Sequence, residues 1–155
     1  MPHQPSDAVL ENRFTKHRAE IEQLRIMMEE DREMVRIASH FTLGNNSTTW
    51  PDSESQRRIT EKRWNEYKNL FIKAEVPLGI ERSNKTDMLF FAWTWGLSVG
   101  GESMSYVYCG SSRNGNSHVL LPCIEQKEAG NEVEGRHKSR YKRIEKDWYL
   151  FEEHD

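Results

Sequence analysis

The stretch MLFFAWTW, residues 88–95, constrains the fold more than any other. Leu89, Phe91, Trp93 and Trp95 share one parity, and Met88, Phe90 and Ala92 the other, so a strand here is apolar on both faces. A strand covered on one side alternates apolar with polar residues. This one needs cover on both. It leads through GLSVGG into SMSYVYC (103–109), a second strand pattern, and Gly100-Gly101 between them reads as a hairpin turn. Neither Gly-Lys-Ser/Thr nor a helix follows the glycines, which excludes a phosphate-binding loop of that type. GESMS does not match the G-x-S-x-G nucleophile elbow.

Further strands are expected at Leu78–Arg82, Ser139–Glu145 and Trp148–Glu152, the last two around the turn Glu145-Lys146-Asp147. Together they make a mainly antiparallel sheet of about five strands. Two helices precede it. Leu10, Phe14, His17, Ile21, Leu24, Met28, Asp31, Val35 and Ala38 advance by alternating steps of four and three, which predicts one helix over residues 8 to about 40. Ser6 or Asp7 caps its start, and Gly44 or Asn45 ends it. The second helix runs from Thr60, its N-cap, to Ala74, with Trp64, Tyr67, Leu70, Phe71 and Ala74 on the buried side. Pro77 prevents its continuation. In the polar loop between the helices, Trp50-Pro51 is expected to anchor against the core. The chain thus reads as a single α+β domain over 1–155, with both helices on one face of the sheet. The segment 111–138, a polar loop with one apolar island at His118–Ile124, is expected to cover the other face unless another molecule does.

Composition narrows the function classes. The chain has 155 residues, is 35% hydrophobic and carries a net charge of −3. That suits one domain with a true core and gives no charge signature of a nucleic-acid or membrane binder. No run approaches the roughly 20 apolar residues of a membrane span. MPHQPSDAVLENRF has no basic region followed by an apolar one, so a cytoplasmic location is expected. There Cys109 and Cys123 are expected as free thiols, with a disulfide as the alternative in an exported chain. Cys109, His118, Cys123 and His137 lack the close ligand pairs of a zinc site, so no metal and no cofactor are expected.

Four stretches, RFTKHRAEIEQLRIMMEED, RITEKRWNEYKNLFIKAEVPLGIER, GLSVGGESMSYVY and YKRIEKDWYLFEE, resemble a group of small bacterial proteins of unassigned function. Some of that group carry lipoprotein-like leaders. The resemblance spans most of the chain outside 44–57 and 111–138, and it transfers no catalytic residue. Where the group has Lys-Gly before the first Tyr of the third strand, this chain has Met104-Ser105.

Two charge clusters remain. Arg136 to Arg143 holds five Lys or Arg around Tyr141, a pattern of RNA-binding surfaces. Arg140 and Lys142 share one face of a strand, however, and edge strands commonly carry such charges to resist aggregation. Glu29, Glu30, Asp31 and Glu33 are placed to balance them. If exposed, that acidic cluster suits a basic partner. The favoured reading is a non-catalytic protein-binding module, in its sharper form a bacterial immunity or inhibitor protein. Its contact residues are Glu29, Glu30, Glu33, Trp95, Glu102 and Tyr106, without cofactor, membrane or nucleic acid. The alternatives are a small enzyme using Cys109, His118 or His137 beneath the 111–138 loop, and a structural homodimer pairing open sheet faces.

Overall fold

A computed structural model describes residues 3–83, 86–96, 101–110 and 138–154. Helix α1 (Asp7–Lys16) is capped by Ser6, whose hydroxyl accepts from Val9 N–H. Helix α2 (Arg18–Glu30) follows after a break at His17. The His17 imidazole at that break meets the Glu75 carboxylate at 2.8 Å. Leu10, Phe14, Ile21, Leu24 and Met28 are buried, so the stripe holds that far.

The expected long helix then stops ten residues short. Asp31 is its C-cap, and Met34–Ile37 and Thr42–Gly44 form strands β1 and β2. The stop signal lies far along the chain. Arg82 donates to the carbonyls of Met28, Asp31 and Met34, supplying partners that α2's last turn lacks. Asp31, the odd carboxylate on the stripe, accepts from Tyr67 O–H at 2.6 Å and Arg63 Nε at 2.9 Å.

Helix α3 (Glu61–Ala74) begins where Thr60 accepts from Arg63 N–H at 3.1 Å, and its expected face is buried. Strands β3 (Ile80–Arg82), β4 (Met88–Trp95), β5 (Glu102–Tyr108), β6 (Lys138–Glu145) and β7 (Trp148–His154) complete the sheet. Seven antiparallel strands lie in the order β2-β1-β3-β4-β5-β7-β6, two more than expected because β1 and β2 replace the end of the long helix. Gly79, at φ +83°, lets β3 close on β1: a Cβ there would lie 2.1 Å from the Ile37 carbonyl. The fold is α+β.

The β2 edge is closed by one residue. Asp52 donates its N–H to the Thr42 carbonyl at 2.9 Å and accepts Gly44 N–H on Oδ2 at 2.7 Å. It thereby copies the donor and acceptor of a neighbouring strand, a local answer to an unpaired edge. Trp50 does not anchor its loop in the core. It is 63% exposed, with its ring on Phe41.

The helix face of the sheet packs Met88, Phe90, Tyr106, Leu150 and Trp148 against the helices. Phe14 lies against both Tyr106 and Trp148 at about 5 Å. The opposite face forms a second cluster of Leu89, Val107, Cys109, Tyr141, Tyr149 and Phe151, each at most 7% exposed. The first half of β4 is therefore buried on both faces, while its end at Thr94 and Trp95 is exposed. The expectation that 111–138 covers the second face lies outside the described residues. Cys109 is disulfide-bonded, which corrects the expected free thiol. The sequence holds one other cysteine, Cys123, outside the described residues. Among the described residues, no helix is long and apolar enough to cross a membrane.

Candidate functional site

Strand register sets the side chains of the helix face in rows. Phe90, Tyr106, Leu150 and Lys142 make one row, under α1. After the irregularity between Phe91 and Trp93, the next row is Trp93, Met104, Glu152 and Arg140. The last is Trp95, Glu102 and His154, with Lys138 the next position in register. Helix α1 begins only at Asp7, so the sheet overhangs its helices by these two rows. Residues 3–6 run along the overhang and close one side of a cleft of about 630 Å³.

A charged network fills the floor. Arg140 forks onto both oxygens of Asp7 at 2.9 Å and also donates to Glu152. Glu152, 8% exposed, further accepts from Gln4 Nε2 at 2.9 Å and from His154. His154 Nδ1 faces Glu102 Oε1 at 3.2 Å. Burial pushes the Glu152 carboxyl up, but the hydrogen bonds from Gln4, Arg140 and His154 outweigh it and hold the group below its ordinary 4.5. Hydrogen bonding from Arg140 holds Asp7 below its ordinary 3.8 against the opposing effect of burial. Both floor carboxylates are therefore charged at neutral pH. Above them the Trp95 side chain is 37% exposed.

The residues singled out from the sequence separate into two groups. Trp95 and Glu102 are cross-strand partners at the overhang. Tyr106 is not a surface residue: it is fully buried and its hydroxyl donates to the Leu10 carbonyl at 3.0 Å. It lies on the helix face, beneath α1. Glu29 and Glu30 are exposed at the far end of α2, and Glu33 in the turn after it. Glu29 pairs with Arg25 at 2.6 Å and Glu30 with Arg63 at 2.8 Å. Arg25 in turn lies over Tyr108, which pairs with Met88 at the opposite end of β4 from Trp95. Seven strand residues separate the two groups, roughly 20 Å.

The basic strand finds other partners than expected. Arg140 is held by Asp7 and Glu152, and Lys142 by Glu11 at 2.9 Å. These acids come from the start of α1 and from β7, not from the Glu29–Glu33 cluster. Glu152, His154 and Gln4 were missed as site residues. The signal for Glu152 was present: it shares the parity of Trp148 and Leu150, and a carboxylate on a buried parity needs partners. Gln4 is positioned by chain direction alone and left no pattern.

Other candidate chemistry is dispersed. Cys109 is fully buried in a disulfide and offers no thiolate, while His118, Cys123 and His137 lie outside the described residues. Among the described residues, no group of three His, Cys, Asp or Glu converges to hold a metal. No family model, curated protein or solved structure matches the chain.

Proposed function

We propose that this chain is a non-catalytic protein-binding module whose contact surface is the sheet overhang. In its sharper form it is an inhibitor of the immunity-protein kind, blocking a partner by occupying it. The observation that carries this reading is Trp95, a large aromatic left 37% exposed on a paired strand, directly across from Glu102. Aromatic side chains held rigid beside polar groups dominate binding energy at protein interfaces. The strands and the Arg140 network fix the surface before a partner arrives, which lowers the ordering cost of association. The exposed glutamates of α2 form a second acidic surface at the other end of the sheet, but their pairing with Arg25 and Arg63 leaves them less free for a partner.

The test is affinity capture of the tagged chain from its native cells, run beside Trp95→Ala and Glu102→Lys. The reading expects one stoichiometric protein retained by the wild type and lost from both variants. It further expects the captured protein's activity to fall when the chain is added back. Equal capture by all three chains places the contact elsewhere.

A further inference from the structure

The molecule repeats one device within itself. Arg18 lies 5.2 Å from the Trp148 ring centre and pairs with Glu22. Arg25 lies 4.6 Å from the Tyr108 ring and pairs with Glu22 and Glu29. Arg57 lies 4.5 Å from the Trp64 ring and pairs with Glu61. Arg63 lies 5.6 Å from the Tyr67 ring and pairs with Asp31. In each case an aromatic face and a carboxylate hold one cation between them, the ring by its quadrupole and the acid by its charge. Trp95 and Glu102 make the same ring-and-carboxylate pair across two strands. Among the described residues no Lys or Arg lies over this ring, and the ion pair that Glu102 makes is with His154. The nearest guanidinium in the cleft, Arg140, is spent on Asp7 and Glu152.

We propose that the overhang is a receptor for one arginine or lysine side chain of the partner protein, seated between the Trp95 indole and the Glu102 carboxylate. This rests on the binding reading above and names the chemistry that the partner must bring. Among the described side chains the charge balance favours it: Asp7, Glu102 and Glu152 face one guanidinium, His3 and His154. The geometry also shows how a donor enters. Gln4 sends its amide N–H to Glu152 at 2.9 Å and to Met104 sulfur at 3.4 Å, so the floor already accepts a side-chain donor from above. The cation's stem would lie along Trp93, which packs at the edge of the core.

The experiment is a titration of the full chain with N-acetylarginine amide, followed by the indole N–H resonance of Trp95, assigned through Trp95→Phe. N-acetyllysine amide is run in parallel, with N-acetylnorleucine amide as the uncharged match for shape and N-acetylglutamate amide as the anionic control. The expected result is saturable movement of the Trp95 resonance with the two cations and none with the controls. Glu102→Gln should weaken the response at least about tenfold, and added salt should weaken it further. Tyr106→Phe, altered beneath the helix, should leave it unchanged. An equal response to norleucine overturns the proposal while leaving an apolar contact surface intact. A Trp95 resonance that stays still, or one indifferent to Glu102→Gln, overturns it as well. The binding reading fails separately, when a captured partner holds Trp95→Ala as tightly as the wild type.

Discussion

Single residues on this sheet do different work according to whether a helix lies over them. Tyr106 and Trp95 are both aromatic, both on the helix face and 11 positions apart, yet one is sealed and the other half open. Tyr106→Phe removes one buried hydrogen bond to Leu10 and should cost about 1 kcal/mol in denaturant melts, with partner binding unchanged. Asp7 and Glu152 are linked to pH. Their folded values are depressed, so their stabilisation is present above the ordinary 3.8 and 4.5 and is lost as pH falls through the folded values. Melts between about pH 6 and 3 should show the wild type losing more stability on acidification than Glu152→Gln. Parallel curves would contradict the assignment. Sequence parity grouped Trp95 with Leu89 and Phe91 and missed the irregularity between Phe91 and Trp93 that turns it to the helix face. It carried no information on where α1 begins relative to that face, and that start decides exposure.

At the scale of elements, local signals were read well wherever the partner group is local. Thr60 and its neighbours define α3, and the short aromatic-rich runs at 88–95, 102–108 and 148–154 define three strands. The end of α2 was misread because its cap, Arg82, stands 54 residues from Met28, and no residue near Asp31 breaks a helix by itself. Met34, Val35 and Ile37 continue a helical stripe as easily as they alternate in a strand. The β2 edge depends on a similar remote device. Asp52→Ala removes the acceptor for Gly44 N–H and should cost about 1–3 kcal/mol, with concentration-dependent association visible by light scattering. Asp52→Asn keeps an acceptor in place and should stay monomeric where the alanine variant does not. Identical behaviour of the two would mean that Asp52 does not close the edge.

The whole molecule is a seven-stranded sheet with buried clusters on both faces and an overhang at one end. The doubled apolar pattern of β4 announced the first property, since a strand buried on both sides cannot alternate. The Cys109 disulfide belongs to the second cluster, so reduction should lower stability by about 2–4 kcal/mol and leave the overhang's chemistry unaltered. A reduced chain that melts with the oxidised one would deny the bond a structural role. The overhang itself was only half legible: Trp95 and Glu102 stood out in the sequence, while Gln4, Arg140 and His154 join them only through the fold. The measurement that tests the central claim most directly is a paired one on Trp95→Ala, its melting temperature and its affinity for the captured partner. A surface residue that serves binding predicts a melting temperature near wild type and an affinity at least about 30-fold weaker, the cost of an interface anchor. A lowered melting temperature with unchanged affinity would make Trp95 part of the scaffold and contradict the account.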